Sequence, residues 1–401
     1  MRSRNIGASR PAVKKNLAIV HVGFALTGVV TTLLGPLLPL LLMAWHLNDA
    51  QGGRLFVTQF VVCVTGAVLA GRVVSRWGAS RTVPPGMFMI SVGLVLLGIA
   101  PNIQAGMLGI AIYSFGLGFA LPATNLLISE LEPERRAAAL NILNFSWTLG
   151  AVLAPIVIAA MLKPFGLRGF LFLTAAVVLV IGGFEALMFP LPPTVSSEIS
   201  NGKLAPQVRL WFALVTLAFM FLYIGIENGF SGWVSAFTIR TQQSSQFATA
   251  LVQSSFWAAL LLGRLLAPLA LRFTRASALI LYGMIVATAG ILLAIASPKI
   301  ALLEFGVLLC GFGLGPVFPT SIALFTEWYG TRGRGSPIVL ALCGLGGAVV
   351  PWIVGVVSDR SQNLRLGIAV TLVCMAIAAL LHWRLTAATE SEPALAAQTV
   401  R

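Results

Sequence analysis

The sequence predicts an all-α membrane protein of twelve transmembrane helices in two pseudo-symmetric six-helix bundles. Three observations predict it. Of 401 residues, 58% are hydrophobic and only 9% charged, where a soluble globular chain carries about 25% charged residues; the mean hydropathy is +0.94. Apolar runs of the length that crosses a hydrocarbon core recur along the whole chain. A pattern of glycines and prolines in the first half returns in the second. Such a composition excludes a soluble enzyme, a nucleic-acid reader and a secreted disulfide scaffold. The net charge of +14 is then a topology signal, not a nucleic-acid footprint.

In order, the apolar runs cover 17–43, 54–75, 83–100, 104–129, 138–162, 167–190, 210–238, 246–271, 276–297, 300–327, 336–357 and 364–385. The first has a basic start, but its apolar segment is too long for a signal-peptide core and is kept as a span. Connections are short. The longest internal polar stretch, 191–209, reads as a cytoplasmic linker between bundles 17–190 and 210–385, with tails at 1–16 and 386–401. Cys63, Cys310, Cys343 and Cys374 all fall inside apolar stretches, where cysteine acts as a small hydrophobe, and no disulfide is expected.

The repeat is carried by the fourth and tenth spans. Phe115-Gly116-Leu117-Gly118, then Pro122, Leu127 and Glu130, matches Phe312-Gly313-Leu314-Gly315, then Pro319, Leu324 and Glu327, at an offset of 197. Gly150 and Pro155 match Gly346 and Pro351 at 196, and Gly71-Arg72 is paired with Gly263-Arg264 at 192. Two parallel six-helix repeats around a midplane site are a transporter architecture. Lys and Arg divide 19 to 7 between the N-terminal side of the spans and the opposite side, which places both termini in the cytoplasm. The basic tail from Arg2 to Lys15 reads as an anchor against anionic lipid.

Twelve spans, a 6+6 repeat and a central polar loop resemble the major facilitator superfamily over about residues 15–385. Its signature after the second helix is partly kept as Gly71-Arg72-Val73-Val74-Ser75-Arg76-Trp77-Gly78-Ala79-Ser80-Arg81, with Ser75 in place of the acid that helps latch the cytoplasmic gate. Tyr223-Ile224-Gly225-Ile226-Glu227 with Trp233, Trp257 before Gly263-Arg264, and Leu38-Pro39 are similar to the fucose and glucose/galactose permease group. The two acids tied to sugar binding and proton coupling in fucose permease fall on Gly35 and Leu121 here. The resemblance implies alternating access, a monomer and a small-molecule solute.

Polar groups at membrane depth are costly and mark sites. Among twelve acids only Glu227 falls in mid-span. Tyr223, Glu227 and Ser231 share one helical face. A desolvated carboxyl there is expected to take up and release a proton, or to bind a substrate hydroxyl; the competing reading is a buried acid bonded to a neighbouring helix. Glu185 and Glu304 are expected to snorkel. Glu130 and Glu327 are expected to pair with arginines such as Arg72 and Arg264 as a gate. On the fifth span Asn141, Asn144 and Thr148 share a face beside Trp147. Gln253 and Trp257 lie one turn apart, and Gln59, Asn125, Thr27, Thr31 and Thr320 lie at depth. Amides and aromatic rings together suit a sugar, while single amides also serve as interhelical glue.

His21, His46 and His382 have no metal partner at ligand spacing, and no P-loop is present. The expectation is therefore a secondary transporter driven by an ion gradient, of protons or else sodium, with no cofactor and no nucleic-acid partner. It sits in lipid, most simply a bacterial inner membrane, and takes up a small polar solute such as a sugar. The alternatives are proton-driven efflux of amphipathic compounds and a non-transporting sensor. No acid pair, activated nucleophile or metal cluster speaks for an enzyme.

Overall fold

Spans 1 and 10 are each broken in two by proline, which removes an N–H from the helix ladder and crowds the carbonyl four residues back. In the computed structural model, which describes residues 10–188, 208–329 and 342–398, α1 (Arg10–Thr32) and α2 (Leu34–Ala44) meet at a bend of 42°. Pro36 lies four residues after Thr32. Likewise α10 (Ile300–Leu314) stops just before Gly315, whose carbonyl lies four residues ahead of Pro319 and finds no N–H there, and α11 (Val317–Tyr329) continues the span. The linker 191–209 falls almost wholly outside the described residues, as do Arg332 and Arg334.

The remaining helices are α3 (Asp49–Trp77), α4 (Ala79–Ile99), α5 (Ile103–Leu131), α6 (Arg136–Met188), α7 (Val208–Gln242), α8 (Gln246–Ala270), α9 (Ala276–Ala296), α12 (Gly346–Ser361) and α13 (Leu364–Gln398). The fifth and sixth spans are not separated by a loop. They run as one 53-residue helical stretch that turns at Gly166, where φ is +65°, a conformation only glycine adopts cheaply. At the other extreme, α13 carries on through the expected tail from 386 to Gln398.

The repeat is visible in the packing, and it corrects one pairing. A Cβ on Gly66 would lie 2.7 Å from the Phe115 carbonyl oxygen and 3.3 Å from the Gly118 Cα. Gly263 meets the corresponding pair, Phe312 O and Gly315 Cα. The partner of Gly263 is therefore Gly66, at the offset of 197, and not Gly71, which has open space where its side chain would be. Gly116 against Gly86 and Gly313 against Gly283 repeat at the same offset. So do the caps: Asn48 accepts from the Gln51 N–H at the start of α3, and Ser245 from the Ala248 N–H at the start of α8. Small residues let these backbones touch, which is how helices gain contact in lipid.

We call the end of the bundle where α3 finishes the near end and the end where it begins the far end. Among the described residues the two halves meet along three seams, α3 on α12, α2 on α7 and α6 on α8. At the far end Gly53 lies against Trp352, and Gly355 against the Asp49 carbonyl. Toward the near end α5 is not packed on α10 or α11, and Leu126 and Ala323 are exposed.

A charged site at the bundle centre

The turn that carries Tyr223 and Glu227 on α7 faces α8 and the break between α10 and α11. Glu227 is only 8% exposed. Its Oε2 lies 2.7 Å from the Tyr223 hydroxyl, and the same hydroxyl is 3.0 Å from the carbonyl oxygen of Leu314, the last residue of α10. A phenol has one hydrogen. It can therefore donate to only one of these two acceptors, Glu227 or the Leu314 carbonyl, at a time. The broken helix supplies that carbonyl, because no residue of a continuing helix claims it.

Arg264 completes the centre. Its Nη2 is 3.6 Å from Glu227 Oε2, longer than the 2.7–2.9 Å of a tight charge-assisted bond. Its Nη1 is 3.4 Å from Thr148 Oγ1, so one guanidinium joins α8 to α7 of its own half and to α6 of the other. Trp147, next to Thr148, meets Trp257 edge-on at 6.0 Å, and Phe318 stacks on Tyr223 at 5.6 Å. Two buried donors in this cluster, Arg264 Nε and Trp257 Nε1, have no acceptor among the described residues.

The structure thus brings Trp147, Tyr223, Glu227 and Trp257 together and adds Arg264. Among the described residues the acid that Arg264 meets is Glu227, toward which it turns inward. Arg72 and Glu130 are exposed at the near end, and the Glu327 side chain lies outside the described residues. Gln59 and Gln253 are 2% and 1% exposed, with both amide ends engaged inside the protein. Gln59 donates to the Thr31 carbonyl and accepts from Tyr113, and Gln253 donates to the Ser231 carbonyl and accepts from Ser235. Trp233 is fully buried, donating to the Pro351 carbonyl. Asn125 and Asn144 donate to carbonyls of their own helices, Leu121 and Leu140, and Asn144 is exposed. Glu185 does not snorkel: it is 2% exposed and turned against Gly23.

One polar cluster was not anticipated. At the far end Asp49 accepts from both Nη atoms of Arg240, at 2.7 and 2.6 Å, and from Ser358 Oγ at 2.6 Å. This latch ties α3 of the first half to α7 and α12 of the second. It borders a recess of about 470 Å³ also lined by Asn48, Asp359 and Arg365.

Residues 20–338 match the family model of the Major Facilitator Superfamily. The chain belongs to the major facilitator superfamily. It is similar to a gentisate transporter of Corynebacterium glutamicum, 25% identical over 85% of this chain and 82% of that protein. It is also similar to the multidrug resistance protein MdtG of Proteus mirabilis, 29% identical over 42% of this chain and 43% of that one. Among solved structures, a bacterial homologue of the lysosomal transporter Spinster superposes with a TM-score of 0.78 at 16% identity, covering 94% of this chain and 98% of that one. The fucose:proton symporter FucP of E. coli superposes with 0.60 at 17% identity, covering 93% and 99%. A superfamily member with this architecture is an integral membrane transporter and not an enzyme.

Proposed function

We propose that this superfamily member is a proton-coupled secondary transporter that moves a small polar solute by alternating access, with the cluster around Glu227 and Arg264 as its solute and coupling site. The observation that carries the reading is Arg264, which bridges Glu227 in one half and Thr148 in the other. A group placed there loses or keeps its cross-half contact whenever the halves rock. The far-end latch then holds one side shut while the near end gives access. The excess of Lys and Arg at the near end supports placing that end in the cytoplasm, and the reading takes the protein as a monomer in a bacterial inner membrane.

Uptake of a sugar is one arm of the test, although Gln59 and Gln253, the amides suited to sugar hydroxyls, have both ends occupied. Efflux of amphipathic compounds is the second reading, supported by the similarity to MdtG and by the aromatic walls of the site. In proteoliposomes with an imposed proton gradient, and sodium as a parallel arm, labelled sugars, organic acids and a hydrophobic dye are compared. Accumulation of any one above its equilibrium level supports the reading and names the ion. Movement of none of them under either gradient overturns it.

A further inference from the structure

Two buried donors at the centre of the bundle have no acceptor among the described residues. Arg264 spends Nη2 on a loose 3.6 Å contact and Nη1 on Thr148 at 3.4 Å, and its Nε, though buried, has no acceptor. Trp257 Nε1, two turns earlier on the same face of α8, is a second buried donor without an acceptor. Buried donors are nearly always bonded, and a guanidinium fork pairs most strongly with a carboxylate that takes two parallel bonds. Flat apolar surface surrounds these donors: Trp147, Trp257 and Phe318. A neutral polyol brings both donors and acceptors and leaves the guanidinium with only its loose contact to Glu227. A carboxylate brings acceptors alone and matches the planar fork.

We infer that the solute is a monocarboxylate with a flat apolar body, whose carboxylate takes Arg264 from Glu227 while Glu227 takes up one proton. This rests on the transport reading above and names its substrate class. Charge balance sets the stoichiometry. One guanidinium neutralises one carboxylate; a second anion at the site is accommodated when Glu227 is protonated, so anion and proton cross together without net charge. The groups acting on Glu227 are few. Tyr223 lies on its own helix, Arg264 on α8 and Cys310 on α10. The α2 segment carries no titratable residue, and the charged pair of α12, Asp359 and Arg360, lies at its far end. On α13, His382 is held by the Ser277 carbonyl. The Glu327 side chain on α11 is outside the described residues.

The test is binding to the full chain in nanodiscs, read by quenching of tryptophan fluorescence. 4-Hydroxybenzoate, indole-3-acetate and octanoate are each compared with the corresponding amide, with glucose alongside. At least one acid is expected to bind tenfold or more tightly than its amide, and tighter at pH 5.5 than at 8. Arg264→Gln abolishes that preference, Arg264→Lys keeps part of it, and Glu227→Gln keeps it while removing the pH dependence. Equal binding of every acid and its amide overturns the inference, as does an undiminished preference in folded Arg264→Gln. If that variant does not fold, Arg264→Lys together with Glu227→Gln decides. The two readings fail separately. Acid binding without gradient-driven movement sinks transport and keeps the site chemistry, and accumulation of a sugar or dye with no acid preference does the reverse.

Discussion

Asp49 and Arg240, 191 residues apart, form a two-pronged ion pair at 2.7 and 2.6 Å that fastens the first half of the bundle to the second. Arg240 is 43% exposed on its side chain and Asp49 only 10%. Solvent screening limits such a pair to about 1 kcal/mol, or about a fivefold change in the population of the far-end-closed state. Asp49→Asn is expected to shift the distance distribution between spin labels at positions 54 and 241 toward longer values. The double exchange Asp49→Arg with Arg240→Asp is expected to restore much of the short population.

The register of the repeat makes a contrast between two glycines. Gly66→Val drives a side chain into the backbone of α5, whereas Gly71→Val meets nothing. Overpacking of this kind costs about 1–3 kcal/mol, so Gly66→Val is expected to lower the melting temperature in detergent and Gly71→Val to leave it unchanged. Gly263→Val is expected to behave like Gly66→Val.

Gln59→Leu is expected to act on stability and not on solute affinity. It removes bonds to Thr31 and Tyr113 worth about 1 kcal/mol each. A lowered melting temperature with an unchanged KM is the expected outcome. A KM raised tenfold without destabilisation would return Gln59 to the solute site.

Tyr223→Phe separates the proton switch from binding. Glu227 loses its 2.7 Å donor and the Leu314 carbonyl its 3.0 Å one. Gradient-driven accumulation is expected to fall by about tenfold, in line with loss of one positioned proton-handling group. Exchange of labelled for unlabelled solute at equal pH is expected to fall much less.

The spans were legible because lipid imposes long apolar runs, and the repeat because Phe-Gly-Leu-Gly recurs intact. Glu227 stood out as the lone mid-span acid, with Tyr223 one turn away. In the sequence Arg264 reads as a near-end gating residue and not as a partner of Glu227. It lies close enough to the near end of α8 to read as a flanking cation, and only the packing shows its side chain turned inward. The latch was hidden for a related reason. Asp49 sits at a helix start, where acids are common for capping, and nothing local ties it to Arg240 or Ser358. The two glutamines were visible as polar groups at depth, but sequence does not tell a satisfied amide from a free one. The false pairing of Gly71 with Gly263 arose because each is followed by arginine. The contacts of Gly66 show that the equivalent of Arg264 in the first half is Ala67, and at the offset of 196 that of Glu227 is Thr31.

The two outer seams at the far end are chemically unlike. Where the first seam has Asp49 and Ser358, the offsets of 197 and 196 place Gln246 and Leu162 in the second, beside Pro36, Pro39 and Pro155. Salt weakens charge attraction, and cooling weakens apolar burial. One edge of the far-end contact is therefore expected to loosen in brine and the other in the cold. Under the alternating-access reading, salt and temperature are then expected to change which of the two edges yields first.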